Sequence, residues 1–177
     1  MDKYYYIAAQ LPLLTFGQKP TITKEVFLEE TKKWLTDSEY NNLSKVDLND
    51  FNFYSSDTIF LREYKIFEEH LRVELAKYRK AKKTRREYIL PKEIIEIKDK
   101  NPLEAEEALL YKRWEWLEEK GVEHCFDFTF LVLYFLKLQI LERLFAFNKE
   151  RGKEVFSKIC KRGVKDKYLE RKAYYTR

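Results

Sequence analysis

Glycine and proline are scarce in this sequence of 177 residues, with only four of each. A many-stranded sandwich or barrel needs turn residues every few positions, and too few are present to build one. No G-x-G-x-x-G and no G-x-x-x-x-G-K-S/T run occurs, which removes the loops that cradle phosphates in nucleotide-binding folds. Cysteine is limited to Cys125 and Cys160, without C-x-x-C spacing, and histidine to His70 and His124. A disulfide scaffold is therefore excluded, and a closed zinc site lacks ligand spacing. No metal and no cofactor is expected. The opening Met-Asp-Lys-Tyr carries no apolar signal core, so a reduced, cytoplasmic protein is expected. Long apolar runs are missing too. Phe126 to Phe147 comes nearest, but Asp127, Lys137, Gln139, Glu142 and Arg143 interrupt it, and it reads as a buried helix rather than a membrane span.

Apolar and charged residues are both plentiful: 45% of the chain is hydrophobic, 16% aromatic and 37% charged. A chain of this length buries roughly 70% of the surface it exposes when unfolded, which is enough for a real core. The net charge of +5 is unevenly spread. Residues 1–70 carry −4, 71–100 carry +6, 101–150 carry −4 and 151–177 carry +7. Alternating blocks of this kind suit a solvated surface or a partner that is itself charge-patterned.

The hydrophobic spacing predicts an all-α fold. Tyr4 to Leu11 fits either a strand, by its aromatics, or a short helix, by Ala8-Ala9-Gln10-Leu11. Thr23 reads as the cap of a helix over Lys24–Leu35, with positions 26, 27, 34 and 35 on one apolar side. Thr36-Asp37-Ser38-Glu39 is a capping-box pattern, opening a second short helix to about Lys45, and Asp47 to Asn52 reads as loop. Ser56 or Asp57 can cap a long helix whose stripe is Phe60, Tyr64, Phe67, Leu71, Leu75 and Tyr78. Its continuation from Lys77 to Arg86 holds seven basic residues in ten, at the negative end of the helix dipole. Pro91 breaks the chain. Ile94, Ile95 and Ile97 offer a patch that clips the following connector onto the core.

Asn101-Pro102-Leu103-Glu104 marks the start of the next helix: an N-cap, proline at the first helical position and a capping-box glutamate. Leu103, Leu110, Trp114 and Leu117 should line its inner side, and Gly121 should stop it. Asp127 should cap a central helix over Phe128–Arg151, with Gly152 as its left-handed end. A last helix is expected over Lys153–Lys161, before Gly163 and the tail Tyr168–Arg177. The expected organisation is one helical domain, 1–177: N-terminal helices and the basic-ended helix in 1–90, a central hairpin and short helix in 101–163, and a basic tail in 164–177.

Few residues offer catalytic chemistry. His124, Cys125 and Asp127 bring an imidazole, a thiol and a carboxylate together, but a sequence-adjacent Cys/His pair rarely has the geometry for thiolate activation. Asp127 reads as a helix cap, Cys125 as packed and His124 as a turn residue. His70 is expected to pair with Glu74 at i,i+4 on a solvated face. Lys137, Arg143 and Arg113 interrupt apolar helices, and Arg143 is expected to pair near Glu142 or with Glu107 or Glu115. No catalytic site is expected. Basic residues with neighbouring tyrosines, at Lys77–Arg86 and Lys161–Arg177, could neutralise phosphate, although no RNA-binding or helix-turn-helix signature accompanies them.

Several segments are nonetheless distinctive. Pro102-Leu103-Glu104, then Arg113-Trp114-Glu115-Trp116-Leu117-Glu118-Glu119, Phe126-Asp127-Phe128 and Tyr134-Phe135-Leu136-Lys137-Leu138-Gln139-Ile140-Leu141-Glu142-Arg143, together with the opening Lys3 to Pro12, resemble an uncharacterised bacterial family encoded among V-type (A/V-type) ATP synthase subunits. Leu138-x-x-Leu141-x-Arg143, with Gly152-Lys153 following, is similar to the helix pattern repeated in the all-helical funnel of that enzyme, which sits on the membrane rotor ring. The resemblance implies a helical bundle like one to two of the funnel's repeats. It further implies a non-catalytic central-stalk adaptor between the shaft and the membrane rotor ring, cytoplasmic and peripheral to the membrane through the complex. Lys80, Lys83, Arg85, Arg86, Lys161 and Arg162 are the candidate partner-binding residues. An assembly factor of the same complex and a basic nucleic-acid-binding protein are the alternatives.

Overall fold

The computed structural model describes residues 2–91, 95, 97, 98, 100–147 and 152–159. These form seven helices: α1 (Asp2–Gln10), α2 (Lys24–Lys32), α3 (Asp37–Ser44), α4 (Ile59–Thr84), α5 (Pro102–Gly121), α6 (Phe128–Ala146) and α7 (152–159). No strand occurs among the described residues. The chain divides into two compact units, residues 1–144 and 145–177.

The core of the first unit is built around α6. Asp127 starts this helix, its Oδ1 accepting the Phe130 N–H at 2.8 Å. Leu131 to Leu136 are buried one after another, followed by Leu138, Ile140 and Leu141. Six consecutive buried residues cover more than a full turn, so α6 is enclosed on every side over this stretch. Phe27 of α2 stacks on Tyr134 and Phe135, with centroids 5.2 and 5.3 Å away. Ile7 of α1, Leu43 of α3, Phe60 and Tyr64 of α4, and Leu110, Trp114 and Leu117 of α5 belong to the same buried cluster. A second cluster joins the later half of α4 (Leu71, Leu75) to Leu90, Ile97 and the start of α5 (Ala108, Leu109). Phe67 packs against both.

Loops are fastened to α6 by its few polar groups. The Gln139 carboxamide accepts the Leu48 N–H at 2.8 Å and donates to the Val46 carbonyl at 2.9 Å. The Tyr134 hydroxyl donates to the Pro12 carbonyl at 2.8 Å, and Glu142 accepts the Lys24 N–H at 2.9 Å. A residue that looks disruptive in an apolar run thus satisfies backbone that no helix could.

Several expectations hold and others are corrected. The capping boxes at Thr36/Glu39 and Asn101/Glu104 form, and Thr23 caps α2. The opening tyrosines lie in a helix, not a strand. Thr58, rather than Ser56 or Asp57, caps α4, because Asp57 is engaged by the Tyr54 N–H and Lys65. Helix α2 ends at Lys32, so Trp34 and Leu35 leave its face; Val26 is exposed, and Phe27 and Thr31 are the residues it buries. Leu103 is half-exposed in the first turn of α5, where the chain has not yet reached the core. Helix α5 does end at Gly121. Helix α6 ends at Ala146 rather than Arg151, and Gly152 opens α7 instead of closing α6. Ile97 is buried as expected, whereas Ile95 is half-exposed. Ile94, Cys160, Gly163 and the tail fall outside the described residues. In the second unit, residues 152–159 are all exposed. Among the described residues no helix is long and apolar enough to cross a membrane.

The N-terminus of α3 doubles as an anchor for α1. Glu39 accepts from Lys3 Nζ at 2.6 Å and from the Tyr4 hydroxyl at 2.5 Å, besides closing its capping box through the Thr36 N–H. Partial burial pushes this carboxyl up, but hydrogen bonds from Lys3, Tyr4 and Thr36 prevail and hold its pKa at about 2, below the ordinary 4.5. A carboxylate depressed in the folded state stabilises the fold above its unfolded pKa and loses that contribution as pH falls. Glu39→Gln should therefore be less stable than wild type above pH 4.5, with the difference shrinking as pH falls toward 2. Urea unfolding of both proteins across that range checks this; a pH-independent difference would contradict it.

Candidate functional site

Three polar constellations stand out beside the His124–Asp127 pair, and two of them are structural. The first lies where α4 meets α5. Glu68 is fully buried, and Arg113 grips it through Nε and, at 3.1 Å, through a second guanidinium nitrogen. The Tyr64 hydroxyl donates to the same carboxylate at 3.3 Å. Burial, and then the charge of Glu68, push the Tyr64 hydroxyl well above its usual pKa, so it stays a donor. Burial alone would lower the Arg113 pKa, but its bonds to Glu68 raise it. The bidentate fork satisfies both charges without water and fixes how α5 lies on α4. Further cross-ties run from Lys120 to Glu63 (2.7 Å), Lys137 to Glu118 (2.8 Å) and Arg143 to Glu106 (2.7 Å). Arg143 is thus paired across a helix pair as expected, with Glu106 rather than Glu107 or Glu115 as partner.

The second is a buried lysine. Lys65, only 3% exposed, reaches Asp57 at 2.8 Å, the Asn52 carbonyl at 2.5 Å and Asp50 at 3.9 Å, beneath the Tyr54 ring. It lines a cleft of about 390 Å³ between α3, the 45–58 loop and the starts of α4 and α6. Each of these contacts goes to the loop, so the work of Lys65 is to hold residues 50–57 against α4.

His124 and Asp127 are brought together, with Nδ1 and Oδ2 2.6 Å apart, and the His124 ring meets Phe60 edge-on. Asp127 spends its other oxygen on the α6 cap, and Cys125 is exposed rather than packed. The neighbouring opening of about 640 Å³ takes only Thr129 from α6 and is otherwise lined by Thr58, Ile59, Phe60 and Glu63 at the start of α4 and by Glu119, Lys120, Glu123 and His124. His70 does not bond Glu74. Glu74 accepts from Lys77 at 2.7 Å and from the Tyr88 hydroxyl, which lie closer along the helix and the returning chain.

The third constellation is the basic end of α4. Lys80, Lys83, Arg85 and Arg86 are all exposed there, joined by Arg79 and Lys82, which were not among the expected partner-binding residues. Among the described residues none of these six has a carboxylate partner. Arg85 also closes α4 in the left-handed conformation (φ 54°), and the Arg86 N–H returns to the Ala81 carbonyl at 3.0 Å. A side chain there costs roughly 1 kcal/mol relative to glycine, so a cation sits where a glycine would cap without strain. Lys161 and Arg162 fall outside the described residues.

Removing one member of the Glu68–Arg113 pair leaves the other charge buried and alone, an effect of about 3–5 kcal/mol. Arg113→Met should therefore lower unfolding stability by that order, while Glu68→Leu combined with Arg113→Met should recover part of the loss, the buried Tyr64 hydroxyl then lacking its acceptor. A double-mutant cycle by urea unfolding reads the coupling; additive losses would show that the pair does not act as a unit.

A family described as "Protein of unknown function (DUF2764)" matches residues 86–167, which take in the connector, α5 and α6. No curated protein and no solved structure matches the chain.

Proposed function

We propose that this chain is a non-catalytic component of a V/A-type ATP synthase, a funnel-like adaptor of the central stalk between the shaft and the membrane rotor ring. The observation that carries the reading is the cluster of exposed cations at the end of α4 that have no carboxylate partner among the described residues. Exposed like charges repel one another, and a surface where six cations outnumber the one adjoining carboxylate, Glu87, is complementary to an acidic neighbour. Rigidity supports the same role. An adaptor that transmits torque must not yield at its helix crossings, and Glu68–Arg113, Lys137–Glu118 and Arg143–Glu106 brace α4, α5 and α6 against one another. The segments similar to the ATP synthase-associated family lie largely on α5 and α6, the braced elements. In this role the protein is peripheral to the membrane through its complex.

Purification through a tag on this chain should bring down ATP synthase components at matching stoichiometry. Changing Lys80, Lys83, Arg85 and Arg86 to glutamine should release them while leaving the unfolding transition near that of wild type, because these side chains are exposed and no anion is placed at the negative end of the helix dipole. Recovery of the chain without the ATP synthase would contradict the proposal. Recovery only with incomplete complexes would instead favour an assembly factor. Binding to RNA or DNA that falls steeply with salt would favour the nucleic-acid reading.

A further inference from the structure

The outer face of α4 has a regular pattern that folding does not use. Positions 59, 62, 66, 69, 73, 76, 80 and 83 are all exposed, and their spacing alternates three and four residues over nearly the whole helix. Its apolar members are Ile59, Ile66, Val73 and Ala76, and the first three are 80%, 58% and 43% exposed. A single exposed aliphatic residue means little. Three β-branched residues at successive seven-residue steps form the a-position half of a heptad seam, and isoleucine and valine are the residues that suit that position in two-stranded coiled coils. They are not there to make the helix, since β-branched side chains are poorer helix formers than alanine or leucine.

We propose that this seam docks an amphipathic helix of another protein, with acidic residues on that helix facing Lys80 and Lys83. Three observations select this occupant. The 3.5-residue period fits one helix laid lengthwise, its apolar side chains on Ile59, Ile66, Val73 and Ala76 and its polar ones meeting Arg62 and Glu69, a match that an apolar lipid surface cannot offer. The seam runs directly into cations that have no carboxylate partner among the described residues, which selects an approaching helix that is acidic at that end. A second copy of this chain is disfavoured by charge. In parallel register it would set Lys80 and Lys83 against themselves, and in antiparallel register it would set them near Ile59 and Arg62. Beside the seam, a groove of about 350 Å³ between Val73, Ala76, Phe51 and Phe53 receives side chains from the docked helix. Arg72 forms one wall, its guanidinium 3.6 Å from the centre of the Phe51 ring.

The inference deepens the adaptor reading by naming the shape and charge of the partner, yet its test needs no ATP synthase. The probe is a synthetic peptide of roughly four heptads with isoleucine and leucine at a and d and glutamate at e and g; a second peptide carries lysine at e and g. Fluorescence anisotropy with the full chain at about 0.15 M salt should show the glutamate peptide binding at least about tenfold tighter than the lysine peptide. Ile66→Ser with Val73→Ser should weaken that binding by about tenfold or more, and Lys80→Glu with Lys83→Glu should invert the peptide preference. All four positions are exposed, so thermal unfolding of the serine variant should match wild type, and that of the glutamate variant should fall only slightly, since its anions oppose the helix dipole, and stay cooperative. Equal binding of the two peptides, wild-type affinity in the serine variant, or equal binding of polyglutamate would each overturn the proposal. So would sedimentation showing that the seam pairs with a second copy. A failed peptide test with the ATP synthase still co-purifying removes the seam and leaves the adaptor reading in place.

Discussion

The enclosure of α6 is the constraint from which the other placements follow. A helix buried on every side over residues 131–136 needs neighbours all round it, and a chain of this size can supply them only by wrapping. Each short element then has an assignment: α2 stacks Phe27 on it, α3 contributes Leu43, and α4 and α5 close the remaining sides with Tyr64 and Leu117. The loops follow, because Gln139 and Tyr134 supply the hydrogen bonds that residues 12, 46 and 48 cannot find in a helix.

Once α6 is surrounded, α4 has one face committed and one face free. Its inner side holds Glu68 and Lys65, two charges whose burial is tolerable only because Arg113 and Asp57 meet them at bonding distance. These contacts determine where α5 crosses and where the 50–57 loop lies. Its outer side carries the heptad stripe and ends in cations that nothing among the described residues neutralises. The division commits one face of the helix to the core and leaves the other exposed. The proposed adaptor role draws on the charge of the outer face, and the proposed docking seam on its periodicity.

Elements governed by local chemistry were legible in the sequence. Asn101-Pro102-Leu103-Glu104 and Thr36-Asp37-Ser38-Glu39 specify their own caps within four residues, and the inner stripe of α4 from Phe60 to Tyr78 reads correctly because helical spacing alone decides it. Features set by tertiary partners were not. Helix α4 starts after Thr58 because Asp57 is taken by Lys65, and α2 stops before Trp34, with Phe27 and Thr31 buried and Leu28 and Leu35 packed partly against the core. Arg113 is visible as an interruption in an apolar helix, but its partner lies 45 residues away and no local pattern names it. Four of the candidate partner-binding residues, Lys80, Lys83, Arg85 and Arg86, are exposed. The outward seam is hard to see in the sequence because the stronger inner stripe leaves the opposite face to be read as solvent.

If α6 is the most protected part of the molecule and α4 is held to it by one face only, amide hydrogen exchange on the whole chain should show both. Exchange at residues 131–141 should be the slowest among the described residues and should track global unfolding as denaturant is added, while the last two turns of α4 exchange through smaller local openings. If residues 131–141 exchanged faster than α4 or α5, or did so without denaturant dependence, α6 would not be the centre around which this protein is built.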